Sequence, residues 1–200
     1  MPFNGYLWYV IYSYPLIKNK KMNPMNTSVI RLRTSLQDEV LDLLNDQIAM
    51  EAHSSAAYLS MSAWCYAQGL NGAGSFYKKQ SGEEREHMLK LFDYVADAGG
   101  LPVSPDITNI ERSFEGLRDI FVRALEMEIA ITNKFNLITE QCHKLKDFQT
   151  ARFVQWYLDE QMEEEQQARR CLEIFDLITT QDGGLYRIDS EVGKLKRKDQ

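Results

Sequence analysis

The sequence predicts an all-α protein built as a four-helix bundle, and three observations support this. Apolar residues recur at helical spacing from about residue 35 onwards, and no stretch shows the two-residue alternation of a strand. Clusters of glycine and proline divide this region into four long helices and a short fifth one. Two of the connections between the long helices are short, whereas the one between the second and third helices is long and contains two prolines.

The breaks between helices follow local sequence signals. Ser35 offers an N-cap for the first helix, and the glycine-rich segment 69–74 ends that helix. Gly99, Gly100 and Pro102 stop the second helix. The predicted helices, in chain order, span residues 35–67, 75–98, 113–143, 147–180 and 185–195.

Loop lengths then restrict the topology. Short connections make antiparallel hairpins of the first and second helices and of the third and fourth. The connection over residues 99–113 can reach about 50 Å at about 3.3 Å per residue, which matches the length of about 45 Å of a helix of about 30 residues. The sequence therefore predicts a four-helix bundle with one long crossover and a short C-terminal fifth helix.

Composition excludes several classes of protein. The 200 residues carry a formal net charge of -6, which disfavours nucleic acid as a partner because phosphate contacts need lysine and arginine. The cysteines at positions 65, 142 and 171 are odd in number and show no CxxC spacing, so a disulfide framework is not expected. We expect a cytoplasmic location, where cysteines stay reduced.

Residues 1–34 form a separate N-terminal extension. Its apolar, aromatic run over residues 6–17 is shorter than the roughly 20 residues that a membrane-spanning helix needs, and no cleavage pattern of a signal peptide follows it. We expect this extension to be disordered, or not native if translation starts at Met22 or Met25; an aromatic anchor at a membrane surface, beside the lysines that follow the run, is the alternative. The working domain is expected over residues 35–200, with no membrane partner.

Carboxylates interrupt the apolar stripe of every long helix. Glu128 illustrates this, because Phe121 and Phe135 stand seven residues before and after it on the same helix face. A buried ionised carboxylate costs several kcal/mol unless it is paired or bound to a metal, and the stripes contain no lysine or arginine. The polar residues of the four stripes are, in chain order, Glu51, Glu84 with His87, Glu128, and Gln161 with Glu164.

These residues lie near the middle of their helices, so they should meet in one layer of the core. Oxygen-rich ligation with a single imidazole suits iron, manganese or magnesium, and four carboxylates nearly neutralise two divalent ions. Further acids flank the layer and predict a more exposed cation position: Glu83, Glu160 and Glu163.

The motifs resemble those of the ferritins, specifically the bacterial non-haem ferritins, over roughly residues 36–195. They are Glu51 with Tyr58 seven residues on, the Glu83-Glu84-x-x-His87 motif, Phe92-Asp-Tyr94, Glu128, and the run from Gln155 through Glu160 to Glu165. The fourth helix carries Gln161-x-x-Glu164 instead of a second Glu-x-x-His, which by the resemblance favours a true ferritin. Arg85 stands where bacterioferritins carry a methionine that ligates haem, so no haem is expected.

The resemblance implies a ferritin-like bundle that acts as a ferroxidase. One Fe(II) would be held by Glu51, Glu84 and His87. A second would be held by Glu84 as a bridge with Glu128 and Glu164, and Gln161 would lie beside it. A possible third site would use Glu83, Glu160, Glu163 and Glu164. Tyr58 would lie beside the two-iron centre as a candidate electron donor.

By the same resemblance, oxygen or hydrogen peroxide would take the electrons. Fe(III) would be stored as a hydrated ferric oxide inside a homo-oligomeric shell of 24 subunits. Two alternatives stay open at this point: a helical-bundle scaffold whose inward acids are structural, and a di-metal oxidase without mineral storage.

Overall fold

The computed structural model describes residues 34–195, which form five helices. Their bounds are α1 Asp38–Ala67, α2 Asn71–Asp97, α3 Leu117–Leu145, α4 Phe148–Leu177 and α5 Gly184–Val192. The predicted all-α fold, with four long helices, one long crossover and a short fifth helix, is confirmed within these residues. The predicted character of the N-terminal extension concerns residues that lie almost entirely outside the described part of the chain.

The two hairpins have tight turns. Lys146 ends α3 in the left-handed conformation, with a φ of 59°. Asp147 then caps α4, because its side chain accepts a hydrogen bond of 3.0 Å from the backbone N–H of Thr150. This two-residue connection makes α3 and α4 antiparallel neighbours, as the short loop predicts.

In the described segment from residue 34 to 195, no helix is both long enough and apolar enough to cross a membrane.

One face of α1 holds the long crossover in place. Asn45 donates to the carbonyl of Leu101 and accepts from the N–H of Val103, at 3.2 Å and 2.9 Å. Fifteen residues further along α1, Ser60 donates to the carbonyl of Glu111 at 2.5 Å. The loop therefore runs along α1, and α3 begins at the end of the bundle where α1 finishes.

The apolar core is divided into two clusters. One lies towards the end of α1 and includes Met61, Tyr77 and Phe121. The other lies towards the start of α1 and includes Leu44 and Leu91. The layer between them contains the buried glutamates of the four helices, so packed side chains enclose that layer on both sides.

The start of α2 differs from the prediction, because the helix begins at Asn71 rather than at Ser75. Two glycines that read as helix breakers lie inside its first turn. A Cβ on Gly72 would stand 2.1 Å from the backbone oxygen of Asp189, and one on Gly74 would stand 2.8 Å from the ring of Tyr66. These glycines therefore permit close packing of α5 and α1 against α2. The other predicted boundaries lie within about four residues of those observed, the usual uncertainty of helix ends.

Asp189 on α5 supplies the cap that α2 lacks locally. Its carboxylate accepts hydrogen bonds from the N–H groups of Gly72 and Ala73, at 3.0 Å and 2.7 Å. A carboxylate at this position also interacts favourably with the positive end of the helix dipole. The short fifth helix thus stabilises the start of the helix that carries Glu84 and His87.

We expect Asp189→Ala to lower the free energy of unfolding by about 1–3 kcal/mol, because two buried N–H groups would lose their acceptor. Urea denaturation followed by circular dichroism measures this change. Asp93→Ala removes an exposed carboxylate from the same α2 helix and should change stability by less than about 0.5 kcal/mol. Equal effects of the two substitutions would contradict a capping role for Asp189.

Candidate metal centre

Each long helix places one carboxylate in the layer between the apolar clusters. The exposed fractions of Glu51, Glu84, Glu128 and Glu164 are 0%, 0%, 1% and 1%. No lysine or arginine is among the buried residues of the described chain, and the one nearby buried group that can carry a positive charge is His87, whose Nδ1 lies 3.8 Å from an oxygen of Glu84. The layer is therefore acidic and shielded from bulk solvent.

The closest grouping joins α1 and α2. One ligand atom each from Glu51, Glu84 and His87 lies within 4.8 Å of the others, and all three residues are buried. Glu84 and His87 lie three residues apart, about one turn, and so share a face of α2, while Glu51 approaches them from α1. No other group of three or more His, Cys, Asp or Glu side chains meets at this distance within residues 34–195.

The His87 ring is fixed by α4. It packs edge-on against Trp156 and Tyr157, with centroid separations of 5.5 Å and 5.9 Å. The Tyr157 hydroxyl donates a hydrogen bond of 3.0 Å to the His87 carbonyl. His87 is thus held in position from the opposite helix before any cation arrives.

Glu128 is held by two donors. The Tyr58 hydroxyl donates to one of its oxygens, and the Gln161 amide donates to the other at 3.0 Å. Tyr58 in turn stacks on Tyr77, with a centroid separation of 5.6 Å. The predicted site residues Tyr58 and Gln161 therefore both contact the same carboxylate.

Two glutamines that the sequence analysis does not single out also contact the layer. Gln47 donates to Glu51 at 2.7 Å, and Gln80 donates to Glu164 at 2.6 Å. By contrast, no N–H or hydroxyl group of the described residues donates to either carboxylate oxygen of Glu84. The sequence signal for Gln47 is its position one helical turn before Glu51; Gln80 has the same relation to Glu84 but contacts a different carboxylate.

Burial and mutual repulsion disfavour the charged forms. Burial raises the pKa of Glu51 well above its ordinary value, and the Glu84 carboxylate raises it further. Burial likewise raises the pKa of Glu84, with Glu128 as the next cause, and that of Glu128, with Glu164 as the next cause. Burial and the neighbouring Glu83 raise the pKa of Glu164 to about 7. These four groups lie close enough to affect one another, and a bound cation would relieve all of them.

The flanking acids are less uniform. Glu160 is buried, whereas Glu83 and Glu163 are half-buried. Glu83 forms an ion pair of 3.1 Å with Lys79, one turn earlier on α2. Its charge also affects Glu164, so the structure brings Glu83 close to the main layer.

The fold and the buried acids together define a helical-bundle protein whose core contains a Glu/His group with the geometry to hold a metal ion. Comparison with known sequences identifies the class more closely, because residues 41–178 match the family described as Ferritin-like domain. This chain belongs to the ferritin family.

Individual relatives agree with that assignment. A probable bacterial non-heme ferritin-like protein of Haemophilus influenzae is 36% identical over 163 residues, which cover 82% of this chain and 99% of the relative. The bacterial non-heme ferritin of Campylobacter jejuni is 37% identical over 160 residues, covering 80% and 96%. Among solved structures, the open pore ferritin of Archaeoglobus fulgidus superposes with a TM-score of 0.77 at 30% identity and covers 80% of this chain and 98% of that one.

We expect Glu84→Gln to make the metal-free protein more stable at pH 7.5, by about 1–3 kcal/mol, because the glutamine needs neither a buried charge nor a proton taken up on folding. The folded-state pKa of Glu84 is raised, so the wild-type carboxyl group is protonated in the folded state at low pH. The raised pKa favours the folded wild type fully at pH values below the unfolded-state pKa. This stabilisation is lost as the pH rises through the folded-state pKa of Glu84. The advantage of the glutamine variant should therefore shrink towards pH 5.

Thermal or urea unfolding in the presence of a chelator, from pH 5 to pH 7.5, measures the difference between the two proteins. Glu86→Gln, at an exposed position two residues further on α2, is the matched control and should stay within about 0.5 kcal/mol of the wild type. A glutamine variant less stable than the wild type at pH 7.5 would show that Glu84 is compensated in the metal-free protein.

Proposed function

We propose that this protein oxidises Fe(II) at an intrasubunit two-iron centre and stores the Fe(III) as a hydrated ferric oxide. The observation that carries this proposal is the layer of four buried carboxylates with no buried lysine or arginine in the described chain. Such a layer is unfavourable unless cations neutralise it, and two divalent ions balance four carboxylates. Membership of the ferritin family supports iron as the cation.

The two irons are assigned to overlapping sets of ligands. Glu51, Glu84 and His87 bind the first, in agreement with their mutual distance of at most 4.8 Å. Glu84 also reaches the second, together with Glu128 and Glu164. A bridging role suits Glu84, since neither of its oxygens accepts a hydrogen bond from an N–H or hydroxyl group in residues 34–195.

Further iron occupies a third position at the edge of the layer. Its ligands are Glu83, Glu160, Glu163 and Glu164, of which Glu83 and Glu163 are half-buried. Their greater exposure suits a site that exchanges iron with the surroundings of the bundle. Gln161 lies beside the second iron, where its amide also holds Glu128.

The reaction transfers one electron from each of two Fe(II) ions. Oxygen accepts both electrons and two protons to give hydrogen peroxide; if hydrogen peroxide is the oxidant, it gives two molecules of water. Carboxylate ligands favour Fe(III) over Fe(II), so the ligand set assists the oxidation. Tyr58, whose hydroxyl donates to Glu128, is the candidate donor of a further electron where oxygen is reduced beyond hydrogen peroxide towards water.

Storage requires an enclosed volume, which one bundle does not supply. We propose a homo-oligomer, with a shell of 24 copies as its form. Support comes from the similarity to a ferritin described as having an open pore and to its engineered closed form.

The three cysteines at positions 65, 142 and 171 are free and buried, which suits a reducing cytoplasm.

We expect the double substitution Glu84→Ala and Glu128→Ala to reduce Fe(II) oxidation in air to the rate in buffer alone. Both iron positions lose a ligand, and the two removed carboxylates are half of the negative charge of the layer. Stopped-flow absorbance of ferric species at two Fe(II) per chain measures the rate. Glu86→Ala with Glu140→Ala, which removes one exposed acid from each of the same helices, is the matched control and should oxidise iron as the wild type does.

Three measurements on the wild type separate the alternatives: the oxidation rate, imaging after iron loading, and gel filtration. A scaffold with structural acids predicts that the wild type oxidises Fe(II) no faster than buffer. A di-metal oxidase without storage predicts fast oxidation but no mineral core when larger amounts of iron are added and the particles are imaged by electron microscopy. A species of monomer size in gel filtration under all conditions would contradict the shell.

A further inference from the structure

The carboxylate layer is contacted by three buried glutamines, which are 0%, 4% and 2% exposed. They are Gln47, Gln80 and Gln161. Each donates one amide hydrogen bond to a different carboxylate, and Glu84, the carboxylate between the two iron positions, receives none. Each outer carboxylate accepts at least one hydrogen bond, Glu128 accepts a second from Tyr58, and the central Glu84 accepts none from these groups, which matches a centre in which only the bridge must offer both oxygens to cations.

We propose that Gln47 and Gln80 are positioning residues, each of which orients one carboxylate for one of the two cations. Gln47 fixes Oε1 of Glu51 and leaves Oε2 of that carboxylate without a donor among the described residues. Gln80 fixes Oε2 of Glu164. This inference rests on the proposed function, because it assumes that the layer binds two cations.

The choice of an amide has an electrostatic reason. A lysine or arginine in place of either glutamine would also hold the carboxylate, but it would cancel one negative charge and repel the incoming cation. The neutral amide holds the carboxylate and leaves its charge available. Four carboxylates can therefore still neutralise two divalent ions.

The two glutamines act on different parts of the layer. Gln47 lies on α1, one turn before its partner Glu51, and so acts within a helix. Gln80 lies on α2 and reaches Glu164 on α4. No Cα atom of α2 lies within 8 Å of a Cα atom of α4, so side chains alone span this gap. The hydrogen bond from Gln80 therefore links two helices whose backbones do not touch, whereas that from Gln47 stays within one helix.

Glu51 belongs to the group that includes His87, whereas Glu164 belongs to the other cation position. Each substitution should therefore weaken cation binding selectively, whereas general damage to the core would weaken binding at all positions. Gln47→Met should weaken the cation position that His87 serves, whereas Gln80→Met should leave that position unchanged and weaken cation binding by Glu164. Methionine is unbranched and similar in length to glutamine, but it has no N–H group.

The test titrates the full-length protein with Co(II) in the absence of oxygen, using calorimetry and the visible absorbance of bound Co(II). The wild type should bind two Co(II) per chain with high affinity. Each methionine variant should lose about 10–100-fold in affinity at one position, as expected when a group that orients a ligand is removed. Gln167→Met, on α4 with a buried amide nitrogen that has no acceptor among residues 34–195, is the matched control and should bind as the wild type does.

Double variants assign the positions. His87→Ala removes a ligand of the first position, so adding Gln47→Met should cause no further loss, whereas adding Gln80→Met should still weaken the remaining Co(II). If a methionine variant does not form the helical bundle by circular dichroism, the asparagine variant replaces it, because a side chain shorter by one methylene withdraws the N–H but keeps an amide.

Three results would overturn the inference: unchanged Co(II) binding in Gln47→Met and Gln80→Met, equal weakening of both positions by one variant, or the same loss in Gln167→Met. Fewer than two Co(II) bound by the wild type would instead contradict the two-cation centre of the proposed function.

Discussion

The burial of four carboxylates at one level of the bundle is the constraint on which the remaining structure depends. Each of these groups would gain hydration by turning outward, so something must hold it inside. The two apolar clusters do this, because they pack the helices together on both sides of the layer. The stability of the apolar core thus offsets the cost of the acidic layer in the metal-free protein.

The partners of the carboxylates separate a cation site from an ordinary buried polar network. A structural network satisfies its acceptors with donors or cationic side chains. Here the donors are three amides and one phenol, all of them neutral, and none reaches Glu84. These four hydrogen bonds orient the carboxylates without neutralising them, which is the arrangement that the proposed cation site needs.

The position of the layer was predictable from the sequence because helical spacing is a local property. Phe121 and Phe135 alone fix the direction in which Glu128 points. The start of α2 was not predictable in this way, since the glycines at its start are explained only by the approach of Asp189 from a distant helix. Gln80 shows the same limit: its spacing to Glu84 indicates a contact within α2, but its amide instead crosses to Glu164.

The four carboxylates are also not equivalent, and the difference follows from their neighbours. Around Glu164 the amide of Gln80, the imidazole of His87 and the ammonium of Lys79 all favour the charged form, which limits the rise of its pKa to about 7. Burial and the Glu84 carboxylate raise the pKa of Glu51, whereas His87 and Gln47 lower it. Burial and the Glu128 carboxylate raise the pKa of Glu84, whereas a hydrogen bond with Glu51 lowers it. Because burial raises the pKa of all four carboxyl groups, cation binding at this layer would displace protons from it. The half-buried acid Glu83 also raises the pKa of Glu164, so the charges of the buried layer interact with a residue that solvent reaches.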